Sequence, residues 1–174
     1  MIIDERSSRT KRVIRQAEEL LTAIRTAPKG RGVDIIEAAL ITGEDIKTLS
    51  EKMLQLHVQT GKPVFLRDGN NILSAEALIV IGTKIQPLGL NCTHCGFPDC
   101  ATKPKNVPCF FNSADLGIAL GSAAASAADM RLDTRILYSA GMAAQQLGIL
   151  GSDIKTVLAI AISASSKNPF FDRG

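Results

Sequence analysis

All four cysteines of the chain fall in one stretch of 18 residues, spaced Cys92-x2-Cys95-x4-Cys100-x8-Cys109, with Gly96, Pro98, Pro104 and Pro108 among them. Glycine and proline break helices and strands and fold such a stretch into tight turns, which bring successive side chains to one side instead of alternating them. Four thiols arranged in this way suit a four-iron, four-sulfur cluster or a tetrahedral metal, and a disulfide or an unligated set is the third reading. Zinc sites more often show two short cysteine pairs, whereas only Cys92-x2-Cys95 is short here, so the spacing favours iron. His94 occupies a turn already filled by Cys92 and Cys95 and reads as a loop histidine, not a ligand. Lys103 and Lys105 would either offset thiolate charge or simply be solvated, and Asp99 acts in the opposite sense. Phe97, Phe110 and Phe111 read as cover that keeps water from the site. Residues 88–112 are thus expected to be a cluster-binding loop, with Cys92, Cys95, Cys100 and Cys109 as metal ligands.

The rest of the chain bounds what such a loop can serve. With 174 residues, 45% apolar and 21% charged, it is long enough for a single domain, 1–174, with a core of its own. A net charge of +3, no tryptophan and 4% aromatic residues provide neither the basic field nor the stacking platform of a nucleic-acid-binding protein. The start, Met1-Ile2-Ile3-Asp4-Glu5-Arg6, lacks an apolar signal region, and Leu116 to Ala128 is too short and too small-residued to span a bilayer. A cytoplasmic protein without membrane contact is expected, and in that reducing compartment clustered cysteines bind metal more often than they pair. No Ser-His-Asp set, paired catalytic carboxylates or HExxH motif is present, so an enzyme here would be an oxidoreductase.

Periodicity places helices and strands around the loop. Val13, Ile14, Ala17, Leu20, Leu21 and Ile24 predict an amphipathic helix from about Ser8 to Thr26, followed by a basic turn, Arg25 to Gly32, that reads as exposed. Val33 to Ile41 is apolar and β-branched enough for a strand, although Asp34 and Glu37 could instead start a helix. Thr42 to Asp45 opens a second helix with Ile46, Leu49, Met53 and Leu56 inward, Gly61 as its stop and His57 as a surface cap near its end. Lys62 to Arg67 reads as a short strand and Asp68-Gly69-Asn70-Asn71 as a hairpin turn. Ala77 to Gly82 is a continuous apolar run, expected to be a buried central strand leading into the cysteines. Asn112 or Ser113 would cap a small-residue helix reaching about Met130, with Asp115 in its first turn. Asp133 or Thr134 would cap another helix ending at Gly148, Thr156 to Ile162 reads as a second central strand, and the polar tail from Ser165 to Gly174 has Phe170 and Phe171 as anchors.

Two resemblances add expectations. The run Cys92-x2-Cys95-Gly96-x3-Cys100 resembles the four-iron cluster segment of the corrinoid iron–sulfur subunit of anaerobic acetyl-CoA synthesis and of the B subunit of Rnf-type electron-transport complexes, which implies Cys109 as the fourth ligand. The whole chain is identified as a member of the uncharacterised family of ferredoxin-domain-containing proteins common in anaerobes and archaea. That match implies a cluster without naming a reaction, and a protein that binds one cluster is expected to pass single electrons with a redox partner protein. In element order, Arg25-Thr26-Ala27-Pro28, Asp115 to Ala119 and Gly148 to Gly151 are similar to segments of flavin-dependent nitroreductases. This second resemblance implies an α+β fold, a nitroreductase-like mixed sheet flanked by helices with the cysteine loop inserted. It also implies a homodimer, and flavin mononucleotide near Pro28, Arg31 and Gly117. The family's Ala-Pro-Ser is Ala27-Pro28-Lys29 here.

Overall fold

In the computed structural model, which describes residues 1–171, the strand β2, Ala77–Lys84, is buried residue by residue from Ala77 to Thr83. Alternate side chains of a strand point to opposite faces, so a continuous apolar run needs a dry layer on each side. Leu78 and Val80 enter a cluster with residues of α2 (Glu44–Thr60), α3 (Pro63–Ile72) and α5 (Tyr138–Gln146). Ala77, Ile79 and Ile81 face the opposite layer, built from α1 (Glu5–Thr26) and α4 (Phe110–Asp129). Between the two helix layers lies one four-stranded sheet, in the order β1 (Ile36–Ile41), β2, β4 (Ile154–Ser163), β3 (Asp133–Leu137).

The α+β class is as read, although each pairing of the sheet is antiparallel where a mixed sheet was expected. The register gives the reason: Ile41 at the end of β1 lies opposite Leu78 at the start of β2. The chain therefore leaves and re-enters the sheet at the same end.

Two local readings are corrected. Residues 63–72, expected as a strand and hairpin turn, form α3, which starts with Pro63 at its first turn and buries Phe65 and Ile72. Its turn-forming residues serve tertiary contacts instead. Gly69 lies where an added Cβ would approach Met53 Cβ at 3.3 Å, and its carbonyl accepts from Ser50 Oγ at 2.8 Å. Buried Asp68 accepts from Ser139 Oγ at 2.5 Å and from Arg67 Nε at 2.7 Å. The helix expected from Asp133 begins only at Tyr138, because Asp133 to Leu137 pair with Ser163 to Ala159 of β4. β-branched Thr134 and Ile136 suit that pleated position.

Other details refine the expected elements. Asp4 caps α1 by accepting from Ser7 N at 2.8 Å, so that helix starts three residues earlier than expected. His57 donates Nδ1–H to the carbonyl of Lys62 at 3.0 Å, joining α2 to α3. Phe170 is buried in the α2–α3–α5 core, while exposed Phe171 lies under the Arg135 guanidinium at 4.8 Å. The end of the expected polar tail, residues 172–174, lies outside the described residues.

α5 lies tight against β4 at Gly141, where an added Cβ would lie 2.1 Å from Val157 O and 2.6 Å from Leu158 Cα. Gly141→Ala must push α5 off β4 and is expected to lower stability by about 1–3 kcal/mol. Gly117→Ala, on the open side of α4 with nothing within 4 Å, makes the same change of propensity without the clash and is expected to stabilise by up to about 1 kcal/mol. Urea midpoints of the two variants check this, and a lowered midpoint for Gly117→Ala would contradict it.

Candidate functional site

One end of the sheet gathers the segments of interest. There β1 starts, β2 ends and β4 starts, with Ile36 opposite Thr83 and Lys84 opposite Ile154. Residues 85–109, the cysteine loop, leave from that end and run to the first turn of α4. The short 3₁₀ turn Gly30–Gly32 precedes β1 at the same place.

The stem of the cysteine loop is closed by Asn112, a buried residue of α4. Its Oδ1 accepts from Gln86 N at 3.0 Å and from Cys109 N at 3.2 Å, and its Nδ2 donates to Gln86 O at 2.9 Å. The two strands of the stem are thus held by one amide. The cap of α4 is Cys109 itself, where Asn112 or Ser113 was expected, because the Asn112 side chain is turned to the stem. One turn further on, the buried carboxylate of Asp115 accepts from Gly30 N with both oxygens, each at 3.0 Å. Arg31 at φ 55° adds a third link, donating from Nη1 to Leu88 O at 2.6 Å. The basic turn and the cysteine loop, separate in sequence, are one neighbourhood in space.

Within the loop the chain reverses through left-handed residues, Asn91 at φ 48°, Thr93 at 61° and Gly96 at 83°. Such a φ is uncommon for a β-branched residue, and it turns the backbone sharply between Cys92 and Cys95. Gly96 N donates to Thr93 O at 2.8 Å across that turn. Asn91 pairs with Cys100 twice, its N–H donating to Cys100 Sγ at 3.4 Å and its Oδ1 accepting from Cys100 N at 2.9 Å. Asp99 accepts from Thr102 N at 2.7 Å, and that bond holds its carboxyl below the usual range. Lys103 is buried, donating to the carbonyls of Pro104 and Val107, so it braces its own loop and is not solvated. His94 packs edge-on against Phe110 at 5.0 Å, and Phe110 against Phe111 at 5.4 Å.

Cys92, Cys95 and Cys100 are half-buried, Cys109 is buried, and none is in a disulfide. Among the described residues, no three side chains of His, Cys, Asp or Glu stand together where they could hold a metal. The sulfurs therefore do not meet at a common centre in this structure. Cys109 is tied to α4 through Asn112, whereas the other three ride on turns held by bonds within the loop.

The residues that the nitroreductase resemblance implies for flavin are exposed: Pro28, Arg31 and Gly117. The polar groups around them are engaged with the protein. Gly30 N points at Asp115 and Arg31 at Leu88 O. Lys29 caps the end of α1, donating to Ile24 O at 2.9 Å and to Arg25 O at 2.5 Å. Arg25 bonds Asp34 at 2.6 Å. Partial burial pushes the Asp34 carboxyl up, but the bonds from Arg25 and the Ile36 backbone outweigh it and hold it low.

Sequence reasoning missed the clamp formed by Asn112 and Asp115. Its signal was an amide and a carboxylate three residues apart, hence on one face, in a helix whose other residues before Asp129 are small or apolar.

The profile of a family described as uncharacterised protein containing a ferredoxin domain matches residues 105–173, a span that includes Cys109 and none of the other three cysteines. An uncharacterised protein of Archaeoglobus fulgidus is 35% identical over 183 aligned residues, covering 99% of this chain and 98% of the relative. Among solved structures, a nitroreductase with bound FMN from Bacteroides fragilis superimposes with a TM-score of 0.64 at 11% identity, covering 87% of this chain and 77% of that one. A variant of an FMN- and NADPH-dependent nitroreductase from a Sphingopyxis strain gives 0.62 at 12%, covering 98% and 83%. At such identities the likeness is one of fold, and the fold is nitroreductase-like.

Removing the stem clamp is expected to cost more than an exposed bond. Asn112→Ala leaves Gln86 N and O and Cys109 N without their partner, and a loss of about 1–3 kcal/mol is expected. Faster amide hydrogen exchange at Gln86 and Cys109 should accompany it. Asn112→Asp keeps the acceptor but sets a buried carboxylate oxygen against Gln86 O, so a loss no smaller than that of Asn112→Ala is expected. Unchanged exchange in Asn112→Ala would show that the stem closes without the clamp.

Proposed function

We propose that this chain, which belongs to the family of uncharacterised proteins containing a ferredoxin domain, is a redox protein that holds a four-iron, four-sulfur cluster on Cys92, Cys95, Cys100 and Cys109. The observation that carries this is the presence of four unpaired thiols on one loop built of turns. The donor chemistry fits: thiolates are the ligands such clusters take, and the Asn91 N–H on Cys100 Sγ is the kind of bond that stabilises a charged sulfur. When bound, the cluster supplies one-electron chemistry, which a partner protein would feed or draw upon.

The chain's own part is to gather the ligands. Asn112 holds Cys109 at the head of a long helix, and the contact of His94 with Phe110 keeps the Cys92–Cys95 turn beside it. Because the sulfurs are apart in this structure, metal binding and closure of the loop are one event, as in many sites whose ligands are ordered by the metal. Flavin has no part in the proposal: the turn at residues 28–32 does not fit a phosphate as it stands, since Asp115 and Leu88 O take the donors of Gly30 and Arg31. A homodimer in the cytoplasm belongs to the same reading. Among the described residues, no helix is long and apolar enough to cross a membrane.

Protein purified without oxygen is expected to contain about four irons and four acid-labile sulfides per chain. Cys100→Ser should lose most of the broad visible absorption. One zinc per chain with no sulfide would overturn the redox reading in favour of a structural metal, and flavin in the supernatant after denaturation would overturn its exclusion.

A further inference from the structure

Beside the cysteine loop, and distinct from its thiols, an open cleft of about 740 Å³ separates the loop from the sheet end. One wall carries Lys84 at the end of β2 with Asp153 and Lys155 near the start of β4. The other carries Lys105 and Asn106 of the loop, and Gln86 lies in the segment that joins them. Three ammonium groups face one carboxylate, a net charge of about +2 for these walls. That carboxylate neutralises little, since Asp153 stands 3.8 Å from Lys84 Nζ and is mostly exposed. Lys155 donates to Ser152 O at 2.7 Å and keeps its charge unpaired. Lys105 and the side-chain amides of Gln86 and Asn106 have no partner among the described residues. Ile85, Pro87 and Pro108 add apolar surface between these polar groups. The volume lies in the range of small-molecule pockets.

We propose that the cleft binds a phosphorylated small molecule of nucleotide size. Its phosphates lie between Lys84, Lys105 and Lys155, its ring against the prolines, and its polar edge on the amides of Gln86 and Asn106. Such a ligand bridges the rigid sheet end and the part of the loop that leads to Cys109, and so fixes that part of the loop. The inference stands on the cleft alone and does not require a cluster.

Titration calorimetry at low salt on the full chain, purified without oxygen, tests it with ADP and inorganic pyrophosphate as probes. ADP is expected to bind one site per chain, more tightly than pyrophosphate. Affinity should fall at least about tenfold in the triple variant Lys84→Gln, Lys105→Gln, Lys155→Gln, and in wild type at high salt. Asp153→Asn, an exposed change that leaves the fold intact, should tighten binding by about threefold. No saturable binding of ADP up to about 1 mM, ADP binding no tighter than that of pyrophosphate, or unchanged affinity in both the triple variant and Asp153→Asn would overturn the proposal. Failure here with iron and sulfide still present would leave the cluster reading standing, and the converse holds equally.

Discussion

A strand that is dry on both faces leaves the rest of this chain little choice. From Ala77 to Thr83 every residue of β2 is buried, so its backbone groups must be bonded on both edges and its side chains covered by a helix layer on each face. β1 and β4 satisfy the edges, and α1 with α4 on one face and α2, α3 and α5 on the other supply the cover. Irregular chain has no place inside such a sandwich. It is displaced to the strand ends, and the cysteine loop begins where the register of β2 against β4 slips between Thr83 and Lys84.

The second constraint acts at the head of α4. Asn112 and Asp115 are polar groups under helix and loop, and each is bonded to backbone of a distant segment: Gln86 for the first, Gly30 for the second. In a low-dielectric setting these bonds are strong and their loss is costly. They join three pieces of chain, the turn before β1, the loop after β2 and the helix that follows, into a single structural unit. The small residues of α4 let α1 lie close along it, shown by Ser122 Oγ donating to Ala23 O at 3.1 Å.

Rigidity is therefore uneven across the loop. Its stem is held by part-buried, long-range bonds, while its interior is held by short-range bonds between exposed or half-exposed residues, such as Asn91 with Cys100 and Asp99 with Thr102. The interior can rearrange at little cost to the fold because few buried contacts are lost. A segment of that kind suits a ligand-gathering role, since its geometry is completed by what it binds. The cleft on the other side of the same loop makes the segment from Lys105 to Pro108 a shared wall, facing the lysines of the sheet end.

The sequence by itself determined the elements whose pattern is strong and local: α1, α2, the two central strands and the helix after Cys109 follow from apolar periodicity and stop signals that depend on near neighbours. It also located the four thiols on a loop of turns. What it misread were stretches whose local signals were overruled by packing, namely Asp68 to Asn71, drawn into α3 by buried bonds to Ser50 and Ser139, and Asp133 to Leu137, drawn into the sheet by β4. Only the tertiary structure decided that Asn112 and Asp115 fasten the loop stem and the basic turn to one helix, that the cations of that turn are already engaged, and that Lys84, Lys105 and Lys155 face one cleft. The clamp, the Arg31 bond and the cleft join residues tens of positions apart, and near-neighbour patterns carry no information about which distant backbone a side chain will meet; Arg25 and Lys29 meet nearer chain that only folding turns toward them.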